Sequence, residues 1–411
     1  MVLMGIVRCL KCRECSREYE PSFRYICEDC FGPIDVEYEI PSDLTRDLFS
    51  KRQEKSYWRY FELLPIANKN NIISLGAGFT PLQVADRLGE EIGSLKNIFI
   101  KNDSVNPTYS FKDRPAGVAV SKAKEIRLSA VGCASTGNLA SATAAHAAKA
   151  KLPCFIFAPS DIERVKISQA LSYGAEFVAV DGTYDDANRV ASVIGDSKGI
   201  GVVNINMRPY YVEGSKTLAF EVAEQLGWQV PDTLIIPVGS GAMLNAICKG
   251  FEELENLGLV DNVSKMKIIA AQPHGCAPIV DAFKNKSNEV RPIEKPETIA
   301  KSLAIGDPGD GLYVLKRLAQ YNGIAEEVTD EEIVDGILSL AKTEGIFTEP
   351  AGGVSVAALK KLVQDGRIDK DENIVCYVTG NGLKATEAIV DVLPKLDAVK
   401  PDIQVVSALI R

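Results

Sequence analysis

Histidine is almost missing: the 411 residues hold two, His146 and His274. His146 falls in an alanine-rich helical run and His274 follows the apolar run KIIAAQP, so both read as structural, and a Ser-His-Asp hydrolase is excluded. No apolar stretch reaches the ~18 residues of a membrane span, and no basic-then-apolar leader is seen at the start. The expectation is no signal peptide and no membrane partner. Positive charge is also short, with 46 Lys and Arg against 55 Asp and Glu, a net charge of −9 and a pI near 5.1. That argues against nucleic acid as a partner but leaves room for a local basic pocket for a small anion. Of the ten cysteines, those beyond residue 30 follow no pattern, which fits a reducing cytoplasm.

What is present begins with length. With 46% hydrophobic and 25% charged residues, the chain has material for two or three domains with real cores. Residues 1–40 form a cysteine-rich unit. Cys12-x2-Cys15 and Cys27-x2-Cys30, eleven residues apart, have the paired-knuckle spacing of four thiolates around one zinc. Cys9 adds a third member that mimics the start of a ferredoxin run, but the fourth cysteine followed by proline is missing. The same cysteines also fit a small β-hairpin cap without metal. Its last stretch, CFGPIDVEYEI, alternates like a strand. Residues 41–70 read as a helical linker of mixed charge and aromatics.

The stretch KNDSVNPTYSFKDR, Lys101 to Arg114, organises the rest. It sets Lys112 between a turn-rich loop and a helical run from about Ala116 to Ile126. Pro115 is tolerated only in a first turn, so the helix should open near Lys112 or Asp113, with Asp113 as its cap. A lysine at a helix mouth meets a positive potential that disfavours its ammonium and prepares it for Schiff-base chemistry. Spacing alone fits a solvated surface lysine just as well. From Ser129 onward strands and helices alternate, which implies a parallel sheet with right-handed crossovers. AVGCAST leads into Gly137, Asn138 and a strong helix former, placing Ser135, Thr136 and Gly137 where unpaired N–H groups bind an anion or where a hydroxyl simply caps the helix. TLIIPVGSGAML reads as strand, glycine loop and helix, with Gly239, Ser240, Gly241, Ala242 and Met243 free to wrap an anion. A dinucleotide site would use the same physics, but the G-x-G-x-x-G fingerprint is not here. Thr379 ends the apolar run NIVCYVT, a position that also suits the cap of a turn.

NPTYSFKDR resembles the segment that carries the cofactor lysine in pyridoxal-phosphate enzymes of the tryptophan-synthase-β-like fold, and its SFKDR form is most similar to threonine synthases. The segment GAGFTPL (Gly76 to Leu82), the STGN loop, the glycine loop, TIAKSLAIGDPGDG (Thr298 to Gly311), GIFTEPAGG (Gly345 to Gly353) and the terminal threonine follow in the family's order, from Cys12 to about Leu383. The resemblance implies a fold-type-II α/β enzyme. Two parallel-sheet domains are expected, a large one of residues 41–105 and 206–411 and a smaller one of 106–205 inserted in it, behind the N-terminal β ribbon. It implies pyridoxal 5'-phosphate bound by Lys112 through a Schiff base, by Asn138 at the phenolic oxygen, by residues 239–243 at the phosphate and by Thr379 at the pyridine nitrogen. A hydroxyl there, unlike an aspartate, does not hold that nitrogen protonated, which suits elimination and replacement.

Ser135, Thr136 and Gly137 would hold the substrate carboxylate. Arg208 and Lys216 in RPYYVEGSKT are the candidate cations for a substrate phosphate, although the order of Arg208 and Tyr211 differs from some family members. Some threonine synthases carry a similar cysteine segment, so zinc on Cys12, Cys15, Cys27 and Cys30 is the second expected cofactor. The implied activity turns O-phospho-L-homoserine and water into L-threonine and phosphate, in a cytoplasmic enzyme of a fold that commonly forms homodimers. A cysteate-forming enzyme, a threonine dehydratase and a zinc-ribbon interaction protein on an enzyme scaffold are the competing readings.

Overall fold

The computed structural model describes residues 6–41, 43–93, 95–395, 398–399 and 401–410. The first five residues of the cysteine-rich unit and the last residue of the expected large domain lie outside the described residues. Three sheets organise the chain. The N-terminal one is antiparallel and three-stranded, with Ile6–Cys12 in the middle between Glu18–Tyr19 and Ile34–Glu39. Among the described residues no helix is long and apolar enough to cross a membrane.

The largest sheet has six strands, in the order Ile324–Val328, Lys267–Pro273, Thr233–Pro237, Ile374–Val378, Ile98–Asn102, Leu82–Val84. All neighbours are parallel except the last pair, which is antiparallel. Its central strands read TLIIP, IVCYV and KIIAAQP because a parallel sheet is covered on both faces and needs apolar side chains on each. Alternation then sorts them. Leu234, Ile236, Val375 and Tyr377 enter one core, and Ile235, Ile374, Cys376 and Val378 the other. The helix Pro350–Gln364 closes the second core, packed against Asp330–Glu344, whose start is fixed by the capping box of Thr329 and Glu332.

The third sheet is parallel and four-stranded, in the order Glu176–Val180, Cys154–Pro159, Val131–Ala134, Gly201–Val202. The helices Asp113–Glu125, Asn138–Ala150 and Arg208–Ser215 share its core, and Leu10, Ile34 and Val36 of the ribbon join them. Residues 208–215, placed by sequence in the large domain, thus pack with the small sheet. Residues 41–70 also differ from a surface linker. After the short helix Arg46–Ser50, a 3-10 segment, Tyr57–Leu63, is wholly buried, and Tyr57, Trp58, Phe61, Leu64 and Ile66 build a core of their own against Ala77 and Val118. Four aromatics in five positions carry more apolar surface than a solvated linker can expose.

Candidate active site

In a parallel sheet the carboxyl ends of neighbouring strands lie along one edge, where open α/β folds hold ligands. Here that edge gathers three of the sequence motifs. The strand Thr233–Pro237 feeds the glycine loop, its neighbour Ile374–Val378 ends at Thr379, and the next strand, Ile98–Asn102, runs into the lysine loop. Backbone hydrogen bonds fasten the last two: Phe111 N–H donates to the Thr379 carbonyl at 2.8 Å, and Asn381 N–H to the Tyr109 carbonyl at 3.0 Å. Lys112 and Thr379 are therefore held together by main chain.

Lys112 is the N-cap of the helix Asp113–Glu125, half-buried, with its ammonium 3.2 Å from the Tyr211 hydroxyl and 4.5 Å from the Phe111 ring centre. The expected cap, Asp113, is instead the first helical residue, and no side chain caps this helix. Its carboxylate turns back and accepts from Thr108 N–H at 2.7 Å and Thr108 Oγ1 at 3.0 Å, bracing the loop before the lysine. Burial pushes the Asp113 carboxyl up to about 7. Beneath the loop, Arg114 is fully buried between Asp103, at 2.6 Å, and Glu221. Lys101 reaches the same Glu221 at 2.7 Å. Burial alone would raise the Glu221 carboxyl, but Arg114 and Lys101 outweigh it and hold the group at about 2. Glu221 also accepts from Phe79 N–H at 2.7 Å and Thr80 N–H at 3.2 Å, so GAGFTPL is tied to the lysine loop through one carboxylate.

Asn138 opens the helix Asn138–Ala150, and Gly137 precedes it with no side-chain cap. Neither Ser135 nor Thr136 caps this end; the Ser135 hydroxyl accepts only from Gly137 N–H, at 3.4 Å. With no side-chain cap, the first-turn N–H groups of this helix are the kind of donors an anion site uses. Asn138 Nδ2 donates to both oxygens of Glu349, at 3.1 and 2.9 Å. Glu349 is a site residue that sequence reasoning left unassigned inside GIFTEPAGG. It is 6% exposed, and burial raises its carboxyl above the usual range against the opposing pull of Asn138, Lys384 and Lys112. In the sequence only its place directly before Pro350, which opens a helix, set this glutamate apart; its burial and its contact with Asn138 come from the fold.

The residues present fit pyridoxal phosphate. Gly241 has φ +93°, and a Cβ on it would stand 2.7 Å from Val314 Cγ2, so only glycine lets the backbone close into this cradle. The helix Ala242–Asn256 begins here without a side chain at its N-cap, and the only side chain on its first N–H is the Ser240 hydroxyl, which accepts from Ala242 N–H at a long 3.4 Å among the described residues. The Met243 side chain lies in the core, so only its main chain is available to the loop. The Thr379 residue is 4% exposed, and its hydroxyl has no hydrogen-bond partner among the described residues.

The two candidate cations are placed otherwise. Lys216 is completely buried between Glu213, at 2.6 Å, and Glu253, at 2.8 Å, with the Tyr38 ring centre 4.1 Å away. Two carboxylates pair with its ammonium in this structure. Arg208 opens the helix Arg208–Ser215 and is ion-paired with Asp310. Of the two histidines, His146 is buried and pushed down to about 4 by desolvation, and His274 is exposed beside Glu327. At the N-terminus the sulfurs of Cys12, Cys15, Cys27 and Cys30 all lie within 4.8 Å of one another, while Cys9 stays outside the group. Cys12 Sγ is 3.4 Å from Cys30 Sγ and Cys15 Sγ 3.5 Å from Cys27 Sγ, close to the ~3.8 Å separation that four zinc–thiolate bonds of ~2.3 Å impose.

Residues 73–380 match the family of pyridoxal-phosphate dependent enzymes. The chain is 39% identical over 405 residues to the threonine synthase of Methanocaldococcus jannaschii, covering 98% of this chain and 99% of that one. It is 40% identical over 400 residues to the threonine synthase of Methanosarcina acetivorans, covering 97% of each. Among solved structures, the processed threonine deaminase isoform 2 of Solanum lycopersicum superposes with a TM-score of 0.64 at 22% identity, over 76% of this chain and 84% of that one. Maize serine racemase gives 0.62 at 20% identity, over 74% and 89%. These two likenesses speak for the fold. With its lysine, glycine and threonine loops on one sheet edge and its full-length kinship, the chain belongs to the pyridoxal-phosphate dependent enzymes, and within them to the threonine synthase family.

Proposed function

We infer that the chain converts O-phospho-L-homoserine and water into L-threonine and phosphate. The observation that carries this is the near-complete alignment with threonine synthases at about the same length, joined to the convergence of Lys112, Thr379 and the glycine loop. In the net reaction the Cγ–O bond breaks and phosphate leaves, water oxygen adds at Cβ, and Cγ ends as a methyl group. Pyridoxal phosphate supplies the electron sink that makes the substrate's Cα and Cβ protons acidic.

The chain's own residues do the rest. Lys112 would hold the cofactor, and its amine would move protons at Cα and beyond. Tyr211 holds its amine by the 3.2 Å contact. The helix end at Ser135, Thr136 and Gly137 would take the substrate carboxylate, and Asn138, which here donates to Glu349, would hold the cofactor's phenolic oxygen. Residues 239–243 would hold the cofactor phosphate, and the Thr379 hydroxyl would serve the pyridine nitrogen. The four knuckle cysteines bind one structural zinc, supported by their mutual distances. A cytoplasmic setting agrees with the ten free cysteines, and the homodimer is carried over from the family resemblance.

Lys112→Ala tests the site. Phosphate release from O-phospho-L-homoserine should be lost, together with the borohydride-trapped cofactor on the peptide that contains residue 112. Trapping at another lysine would sink the assignment.

A further inference from the structure

The loop GDPGDG, Gly306 to Gly311, takes no part in the chemistry above, yet its Asp310 stands directly behind the glycine loop. Asp310 N–H donates to the Ser240 carbonyl at 3.0 Å, and the Asp310 carbonyl accepts from Asn245 Nδ2 at 3.4 Å. A Cβ on Gly241 would lie 3.1 Å from Asp310 Cβ. The residue is 2% exposed, so its carboxylate is a buried negative charge beside a loop shaped for a phosphate. Unneutralised, that charge would oppose an incoming dianion.

Two guanidiniums neutralise it. Arg208 pairs with one carboxylate oxygen, and Arg13 Nη1 with the other at 3.1 Å. Arg13 comes from the ribbon, between Cys12 and Cys15. It is fixed there by Asp35, through Nε at 2.7 Å and Nη2 at 2.6 Å, and lies over the Tyr313 ring at 4.6 Å. Its neighbour Glu14 accepts from the Tyr313 hydroxyl at 2.5 Å. Tyr313 belongs to the helix Gly311–Gln320, whose N-cap position Asp310 occupies without a side-chain capping bond. A continuous chain of contacts thus joins the cysteine knuckle to the glycine loop.

We propose that Asp310 is a positioning residue for the phosphate end of the cofactor and that Arg13 of the cysteine knuckle keeps it in place, so that the ribbon sets cofactor affinity. The inference rests on residues 239–243 being the phosphate cradle. It explains why an arginine sits inside the knuckle and why the ribbon is packed against the enzyme body.

The test titrates the full-length protein, stripped of cofactor, with pyridoxal phosphate and with pyridoxal, which has no phosphate. Arg13→Ala should weaken pyridoxal phosphate roughly 5- to 20-fold and leave pyridoxal unchanged. Arg13→Lys should recover part of the loss. Arg8→Ala, which removes an exposed ribbon pair with Glu18, should change neither. Unchanged pyridoxal phosphate binding in Arg13→Ala, or an equal loss for both ligands, overturns the proposal while leaving the cradle intact. Equal affinity of the unaltered protein for both ligands removes the cradle itself, and the proposal with it.

Discussion

The Lys112 ammonium lies 3.2 Å from the Tyr211 hydroxyl, a contact between residues 99 positions apart that the packing of the helices Asp113–Glu125 and Arg208–Ser215 creates. A hydroxyl at this distance accepts a hydrogen bond from the amine, so a role for Tyr211 in the lysine's proton transfers is open to test. Tyr211→Phe keeps the ring and the fold. It should retain cofactor on Lys112 while lowering kcat by roughly 10²-fold with little change in KM. Steady-state kinetics across pH read this directly, and a variant with full kcat would leave Tyr211 a packing residue.

Asp113 gives a pH dependence whose sign follows from burial. Its carboxyl sits at about 7 in the folded chain, above its ordinary 3.8, chiefly through desolvation. Between those values the folded chain keeps a proton that the unfolded chain has lost, so stability falls as pH rises through the window, and the penalty is complete above about 7. Asp113→Asn cannot ionise. Its stability gain over the unaltered protein should be larger at about pH 8 than at about pH 5 by roughly 2 kcal/mol. Urea unfolding at the two pH values checks it; a gain that does not change with pH refutes it.

The knuckle predicts a metal. Purified protein should carry one zinc per chain, and a chelator should release it, expose four reactive thiols and lower the melting temperature. Metal-free protein with four titratable thiols and an unaltered melting temperature would contradict this.

What was legible in the sequence and what was not divide along one physical line. Lys112, the STGN loop, the glycine loop and Thr379 lie in short motifs whose turns, caps and strand ends are local, and it was the resemblance of those motifs, not their spacing, that gave them roles. Lys216 shows the opposite case. As a lone cation in a loop it suggests a phosphate ligand, but Glu253 reaches it from 37 residues away, and only Glu213, three residues earlier, gave a local hint of an ion pair. Tyr211, Glu349 and Asp310 owe their roles to contacts across 99, 211 and 297 positions, with Lys112, Asn138 and Arg13, which no window of sequence contains. The buried aromatics at Tyr57 to Phe61 were visible as residues, but their depth is decided by the helix and turn that cover them.

The most direct test of the central claim is product analysis of the pyridoxal-phosphate-loaded protein, incubated with O-phospho-L-homoserine and, in parallel, with O-phosphoserine plus sulfite. Threonine and phosphate in equal amounts from the first mixture alone is the predicted result. Cysteate from the second, with no threonine from the first, would keep the fold and contradict the function.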